Sequence, residues 1–100
     1  MKPHGNSHEN QEEHYLYEII DKVDNDILKY GISADELLSD GTSPRINNQL
    51  KIFNLIAGWM RYFGRIIVTG IQGRKNAEDL EKKYINDYKV KNGRKPIGNK

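Results

Sequence analysis

The first third of the chain carries one apolar stripe at helical spacing. Its members alternate in steps of four and three residues, and they are Leu16, Ile20, Val23, Ile27 and Tyr30. Acidic residues occupy much of the surface between them, which predicts an amphipathic helix over about residues 11–30. Gly31 follows at once and suits the left-handed position that ends many helices.

The middle of the chain, residues 43–73, is its most apolar part and holds the single Trp and both Phe residues. Ser43 predicts a helix N-cap because its hydroxyl can accept a backbone N–H, and Pro44 fits the first helical position, where no donor is needed. Apolar side chains then recur around most of a helical circumference as far as Gly70 and Gly73. The pattern predicts one long central helix that is buried on two sides.

Two shorter segments complete the predicted architecture. Ser33 and Glu36 have the spacing of a capping box and predict a short helix that ends near residue 38. Asn76 predicts the N-cap of a last helix, which the pair Asn92-Gly93 ends. No strand-like alternation of useful length is present. We therefore predict an all-α fold, a small helical bundle of three main helices and one short helix.

The predicted helices form a single domain over residues 11–92, because a chain of 100 residues allows one modest core. Residues 1–10 are predicted to be a flexible polar tail and residues 93–100 a basic tail. The chain has no cysteine, which excludes disulfides, thiol catalysis and cysteine-based zinc sites. Because the first residues lack the apolar core of a secretory signal, we expect a cytoplasmic location.

The formal net charge of +2 hides a strong charge asymmetry. Residues 1–43 hold three Lys/Arg against ten Asp/Glu, a net charge of −7, and residues 44–100 hold thirteen against four, a net charge of +9. Such an asymmetry predicts a polyanionic partner such as nucleic acid. Alternatively, the acidic part neutralises the basic part within the fold, with Glu18 or Asp21 pairing with Arg61 and Arg65. The sequence leaves both interpretations open.

Basic residues of the second half are the candidate contacts to nucleic acid. Residues 33–52 outline a helix-turn-helix, whose second helix would offer polar side chains to base edges. The cations of the C-terminal tail have no acidic neighbours in sequence and suit phosphate binding. We predict a small nucleic-acid-associated protein, accessory or regulatory, that binds DNA or RNA. The candidate nucleic-acid-binding residues are Arg45, Asn48, Lys51, Arg61, Arg65, Arg74, Lys75, Arg94 and Lys95.

The rival hypothesis rests on the apolar central helix. Three short helices cannot cover all the apolar side chains of this segment, and we expect Trp59, Met60 and Phe63 to remain exposed. Such residues are enriched in the cores of interfaces. They predict a protein–protein interaction or structural assembly subunit: an adaptor, an inhibitor or an oligomer component. A homodimer would satisfy both hypotheses.

Enzymatic chemistry is not expected from the sequence. No triad of nucleophile, base and acid, no phosphate-binding loop and no calcium loop is present, and the three His residues lie in or beside the polar tail. We therefore expect no catalysis, no cofactor and no metal site. A membrane span is not expected either, because Arg61 and Arg65 lie within the apolar stretch and each would cost roughly 2.5–3.5 kcal/mol to insert.

Overall fold

The computed structural model describes residues 12–39 and 41–99, which form an α+β fold. In chain order its elements are strand β1 (Glu13–Asp21), strand β2 (Asp26–Ser33), helix α1 (Pro44–Ala57), strand β3 (Tyr62–Gln72) and helix α2 (Arg74–Asn92). The strands form one antiparallel sheet in the order β2-β1-β3. The strand β1 therefore lies in the centre of the sheet.

Alternate side chains of β1 pack against helices on opposite faces of the sheet. Tyr15 and Tyr17 point to the face covered by α1 and share a core with Ile46. Leu16 points to the other face and shares a second core with Ala77 of α2. All five side chains are at most 3% exposed. The sheet is thus sandwiched between α1 and α2, and the strand β1 supplies both cores.

A tight turn over residues 22–25 joins β1 to β2. Asn25 has a φ of 51°, a left-handed conformation that Asn tolerates better than most residues. The carboxylate of Asp21 accepts the backbone N–H of Val23 at 2.9 Å and stabilises the start of the turn. The resulting register places Tyr17 opposite Gly31.

The predicted start of the central helix is confirmed. The Ser43 hydroxyl accepts the backbone N–H of Ile46 at 3.2 Å, and Pro44 occupies the first helical position. The helix ends much earlier than predicted, because Gly58 adopts a φ of 82° and its N–H returns to the carbonyl of Asn54 at 2.9 Å.

Two polar contacts fix the connection from α1 to β3. The buried Asn54 side chain accepts the N–H of Tyr62 at 2.7 Å and donates to its carbonyl at 3.1 Å, so that both halves of the amide are paired. Arg61 then reaches across the sheet and donates to Asp21 through two nitrogens, at 2.8 and 2.7 Å. This bidentate pair lowers the pKa of Asp21 from 3.8 to about 2.

The all-α prediction is wrong, and the predicted first helix is the β1–β2 hairpin. Because β1 is buried on both faces, its apolar residues follow one another and leave no alternation to read. The four-and-three spacing of the stripe arises by chance, and Val23, one of its members, is 56% exposed in the turn. The density of aromatic and β-branched residues in this segment was the signal for a strand.

The long central helix is also wrong, because residues 62–72 form β3 instead of helix. Gly70 lies within that strand at a φ of 70°, and Gly73 is the N-cap of α2, so neither glycine ends a helix. Gly58, in the middle of the predicted helix, is the true stop. The β-branched run that follows it favours a strand.

The two remaining helix predictions have different outcomes. No helix forms within the described part of residues 33–39, since Ser33 ends β2, and the proposed helix-turn-helix therefore lacks its first helix. The last helix begins at Arg74 without a side-chain cap, so Asn76 lies inside its first turn instead of at the N-cap. Its predicted end at Asn92-Gly93 is confirmed.

Two predictions concern regions apart from the sheet and its helices. The predicted flexible tail of residues 1–10 lies outside the described residues. Within the part of the chain that the structure describes, no helix has both the length and the apolar character needed to cross a membrane.

The ion pair between Arg61 and Asp21 predicts a specific loss of stability in acid. Because the folded-state pKa of Asp21 is about 2 and the usual value is 3.8, its contribution is complete above about pH 4 and is lost as the pH falls to about 2. We expect Asp21→Asn to lower the Tm by several degrees at pH 6 and to flatten the fall in Tm between pH 4 and pH 2.

Thermal denaturation followed by circular dichroism between pH 2 and pH 6 measures both effects. Asp24→Asn is the matched control, since Asp24 is 3.5 Å from Arg61 and its side chain is 65% exposed. If Asp21→Asn retained the full acid sensitivity of the wild type, another carboxylate would be responsible.

Candidate functional site

A cleft of about 510 Å³ opens at the outer edge of β2. We call it the edge cleft. Its polar lining comes from both faces of the sheet and from both helices. The side chains relevant to chemistry are Tyr17, Lys29, Tyr30, Arg45, Arg74, Glu78 and Glu81. With Glu12 and Asp35, which also line it, three cations, four carboxylates and two phenols share one cleft.

Tyr17 reaches the edge cleft by crossing over Gly31. A Cβ atom at Gly31 would lie 2.3 Å from Cζ and from the hydroxyl oxygen of Tyr17, so only glycine leaves room for the ring. The Tyr17 hydroxyl donates to Oε1 of Gln49 at 3.0 Å. Burial raises the pKa of Tyr17, so that its phenol is neutral at pH 7.

The three cations of the edge cleft come from three elements: Lys29 from β2, Arg45 from α1 and Arg74 from α2. Burial lowers the pKa of Lys29, and the nearby charge of Arg45 lowers it further. Like charges held this close repel one another, and an anionic ligand would relieve that repulsion. The part of the cleft around Lys29 and Arg45 is therefore suited to an anion.

The two carboxylates lie one turn apart on the same side of α2. Arg74 forms a long ion pair with Glu78, with 3.6 Å between Nε and Oε2. Burial raises the pKa of Glu81, and the charge of Glu78 raises it further, although Lys29 opposes both effects. Glu81 is thus a half-buried carboxyl with an altered proton affinity, a property that is common among functional groups.

A hydrogen-bond network around Asp35 positions Arg45. The Asp35 carboxylate accepts the backbone N–H of Arg45 at 3.0 Å and the hydroxyl of Ser33 at 2.7 Å. The Tyr15 hydroxyl is hydrogen-bonded to both Asp35 and Ser43. Burial and the bond to Asp35 raise the pKa of Tyr15 to about 12. The network joins the end of β2 to the first turn of α1 and so fixes two walls of the cleft.

The backbone of β2 at the cleft is held by the C-terminal segment. The side-chain amide of Asn99 accepts the N–H of Tyr30 at 2.7 Å and donates to its carbonyl at 2.9 Å. The N–H of Gly98 donates to the carbonyl of Leu28 at 2.7 Å. Residues 98–99 therefore pair with β2 much as a neighbouring strand would, and they fix the strand that carries Lys29.

His14 contributes an unpaired ring nitrogen to the cleft wall. It is 2% exposed, and its Nδ1 lies 2.7 Å from the carbonyl oxygen of Glu12. Because a carbonyl oxygen can only accept, Nδ1 is the donor in this contact, and in the neutral tautomer with that proton Nε2 would be an acceptor. Within residues 12–39 and 41–99, Nε2 is the buried side-chain polar atom that has no hydrogen-bond partner. Such an atom can accept a hydrogen bond from a water or a ligand.

The structure brings two of the nine predicted nucleic-acid-binding residues, Arg45 and Arg74, into the edge cleft. Asn48 lies in a shallow pocket beside Arg45, and Lys51 lies beside an apolar groove on α1. Lys95 is exposed.

The remaining candidates are paired with carboxylates. Arg61 pairs with Asp21 at 2.7 Å and Arg65 with Glu18 at 3.2 Å, which confirms the alternative in which the two charged halves neutralise each other at these positions. The tail cation Arg94 also has an acidic partner, since its Nη2 lies 2.9 Å from Asp26, while Lys75 pairs with Asp79 on the same helix.

The three predicted interface residues do not form one surface. Trp59 and Met60 are 54% and 68% exposed and line the apolar groove on α1. Phe63 is 39% exposed but lies on the α2 face, in a different cleft.

Sequence reasoning missed Tyr17, Lys29 and Glu81. Tyr17 and Lys29 lie in a segment that was predicted as helix. That prediction did not show that the β1–β2 hairpin brings the two side chains into one cleft. One signal was available, because a glycine such as Gly31 inside a strand often marks a close approach of another group. Glu81 could not be distinguished from the other carboxylates of a charged helix without the fold.

Comparison with known proteins gives one family. The model of the family described as URI fold toxin 2 matches residues 7–93. No curated protein and no solved structure matches the chain. The match to a toxin family shows that the predicted function, an accessory or regulatory nucleic-acid-binding protein, is wrong. It gives no support to the alternative of an adaptor or assembly subunit either.

The packing of Tyr17 over Gly31 predicts a coupled pair of substitutions. Gly31→Ala places a methyl group against the Tyr17 ring, and we expect it to destabilise the fold by about 1–3 kcal/mol through overpacking. In a Tyr17→Leu background the clash is relieved, so the same change should cost much less.

A double-mutant cycle measured by urea denaturation checks this coupling. Gly41→Ala is a useful contrast, because no atom lies within 4 Å of the added methyl group there. Since Gly41 has a φ of +81°, any loss of stability comes from backbone strain. Tyr17→Leu should leave that loss unchanged. Equal costs for Gly31→Ala in the two backgrounds would show that the ring does not occupy this position.

Proposed function

The chain belongs to the URI fold toxin 2 family, and we propose that it is a toxin that hydrolyses phosphodiester bonds of nucleic acid in the edge cleft. The observation that carries this proposal is the set of groups collected there. Lys29, Arg45 and Arg74 supply positive charge, Glu81 supplies a carboxylate of altered pKa, and Tyr17 supplies a buried hydroxyl. This combination matches an anionic substrate whose hydrolysis accumulates negative charge.

The cations bind and orient the phosphodiester. Arg45 offers a planar fork that fits two phosphate oxygens, and its position is fixed by the bond from its backbone to Asp35. Lys29 provides a second, more compact charge from the neighbouring strand. Because the two cations repel each other in the free protein, bound phosphate improves the environment of both.

The carboxylates Glu78 and Glu81 fit a divalent cation that is shared with the substrate. Their mutual repulsion contributes to the raised pKa of Glu81, and a cation would reverse that effect. Among the described residues no group of three or more His, Cys, Asp or Glu side chains is arranged to hold a metal. Mg²⁺ commonly binds through one or two carboxylates together with substrate phosphate oxygens, which suits this pair. When bound, such a cation polarises the phosphoryl group.

Tyr17 positions the water that attacks phosphorus. Its hydroxyl hydrogen is directed to Gln49, and its oxygen, which also interacts with Arg45, has a second lone pair that can accept a hydrogen bond from water. Since its pKa is raised, the phenol acts at pH 7 through its orientation and not as a phenolate.

The proposed reaction is a single displacement at phosphorus. The water oxygen forms a bond to phosphorus, and the bond from phosphorus to the leaving oxygen breaks. Lys29 gives a proton to the leaving oxygen, because its lowered pKa makes the ammonium group a stronger acid, and the proton released by the water restores it. The products are a phosphate monoester and an alcohol.

This proposal differs from the sequence-based expectation that the chain is not an enzyme, which remains untested. That expectation was based on missing sequence motifs. The burial of Glu81, which raises its pKa, depends on the fold and has no sequence motif.

Cleavage of nucleic acid by the purified protein tests the proposed function. Labelled single- and double-stranded RNA and DNA are incubated with the protein and Mg²⁺, and the products are resolved by electrophoresis. We expect cleavage of at least one of them, and we expect Arg45→Ala and Glu81→Gln to lower its rate by about 100-fold or more.

Two control variants separate the edge cleft from general effects of charge. Asp79→Asn makes the same kind of change as Glu81→Gln on the same helix, and Lys75→Ala removes an exposed cation that pairs only with Asp79 among the described residues. Both controls should cleave at the wild-type rate. An absence of cleavage on all four substrates, or equal rates in the cleft variants and the controls, would reject the proposal.

We expect the substitution Glu81→Gln to lower the cleavage rate but to raise the stability of the fold. Because burial raises the pKa of Glu81 above its usual value, its ionised form is less favourable in the folded protein than in the unfolded chain at pH 7. Glu81→Gln removes that penalty and is expected to raise the Tm by a few degrees in metal-free buffer at pH 7. The gain should shrink as the pH falls toward 4.5, where the wild-type carboxyl becomes protonated in both states.

Differential scanning fluorimetry at pH 4.5 and pH 7 measures the change in Tm, with Asp79→Asn as the reference variant. A lower Tm for Glu81→Gln than for the wild type at pH 7 would show that the carboxylate is a stabilising group and not a strained one.

A further inference from the structure

A second cleft, of about 700 Å³, opens on the α2 face of the sheet between the strands and the second half of α2. We call it the tyrosine cleft. Four aromatic side chains line it, Tyr30, Phe63, Tyr84 and Tyr88, together with charged and polar groups. Tyr30 also lines the edge cleft, so the two clefts meet at this residue.

A buried carboxylate, that of Glu18, lines the tyrosine cleft. Its side chain is 7% exposed, and in the described part of the chain its polar partner is Arg65. A single nitrogen, Nη2 of Arg65, lies 3.2 and 3.3 Å from the two carboxylate oxygens, and the Arg65 side chain is 67% exposed. By contrast, Asp21 receives two separate nitrogens of Arg61 at 2.7 and 2.8 Å.

Because Arg65 contacts Glu18 through a single nitrogen, the two oxygens of Glu18 can accept further hydrogen bonds. A buried carboxylate is normally satisfied by several short hydrogen bonds, and its two oxygens together can accept about four. Glu18 therefore offers two neighbouring acceptors to a ligand that presents two neighbouring donors. The aromatic walls require that the same ligand be flat and apolar on its faces.

We propose that the tyrosine cleft binds an unpaired guanine base of the nucleic acid that is cut in the edge cleft. Guanine carries two adjacent donors, the ring N–H and the exocyclic amino group, on its Watson–Crick edge, and these match the two oxygens of Glu18. This inference rests on the proposed function, since it names the base next to the bond that is hydrolysed.

The aromatic rings differ in their freedom to stack on a base. Tyr88 is already engaged, because its hydroxyl donates to Asp26 at 2.6 Å and its ring packs against Arg94. Tyr30 and Tyr84 pack against each other with 5.5 Å between their ring centres. Phe63 is 39% exposed, and its ring centre lies 5.7 Å from Nζ of Lys22. Because its ring has no hydroxyl held by a partner, we expect a base to stack on Phe63.

The geometry limits the substrate to unpaired strands. A base whose Watson–Crick edge meets Glu18 and whose face meets an aromatic ring cannot remain paired in a duplex. Because Tyr30 lines both clefts, a strand with a phosphate in the edge cleft can place a nearby guanine in the tyrosine cleft. We therefore infer a preference for single-stranded substrates that are cut beside guanine.

Nucleoside binding tests the tyrosine cleft independently of cleavage. The wild-type protein is titrated with guanosine, adenosine, cytidine and uridine, and the amide signals of residues 18, 63 and 84 are followed by NMR. Guanosine should bind about tenfold or more tightly than the other three. Glu18→Gln should remove the difference, and Phe63→Ala, a change of a partly exposed residue, should weaken guanosine binding without unfolding the protein. Asp79→Asn is the control.

Cleavage of single-stranded oligonucleotides that differ in one base then separates the two proposals. Preferential cutting beside guanine that disappears in Glu18→Gln or Phe63→Ala supports the guanine site. Cleavage without base preference, or equal binding of the four nucleosides, overturns the guanine site and leaves the hydrolytic function standing. Guanosine binding without cleavage of any substrate overturns the proposed function and retains the base-binding cleft.

Discussion

The whole domain is arranged around β1, whose side chains are withdrawn from water on both faces of the sheet. Tyr15 and Tyr17 face α1, whereas Leu16 faces α2. Burying two phenols in one strand requires partners for their hydroxyl groups, because an unpaired buried hydroxyl is costly. Tyr15 finds them at Asp35 and the start of α1, and Tyr17 finds one at Gln49. The two buried phenols thus require polar partners, Asp35 and Gln49, beside the sheet.

The same arrangement explains which parts of the fold could be predicted. Ser43 and Pro44 predict the start of α1, and Asn92-Gly93 predicts the end of α2. These signals could be read from the sequence because each acts on backbone groups only a few residues away. The strands are different, since a strand that is buried on both faces shows no polar alternation. Its identity depends on neighbours that are distant in sequence, and a stripe at helical spacing can arise within it by chance.

The candidate site was predictable only in part for the same reason. Arg45 and Arg74 were recognised as cations suited to an anionic ligand, since charge can be read from sequence. Tyr17, Lys29 and Glu81 acquire their properties from burial and from one another, and the fold alone brings them together. Ion pairs with Asp21, Glu18 and Asp26 occupy Arg61, Arg65 and Arg94, respectively.

The contact between Asn99 and β2 also bears on how the protein behaves at high concentration. An edge strand with free backbone groups is a template on which a strand of another molecule can pair, and this is a common route to aggregation. At Tyr30 the donor and the acceptor are both taken by the amide of Asn99, and the carbonyl of Leu28 is taken by Gly98. These few bonds shield the strand that carries the cleft from edge-to-edge pairing with other copies of the chain.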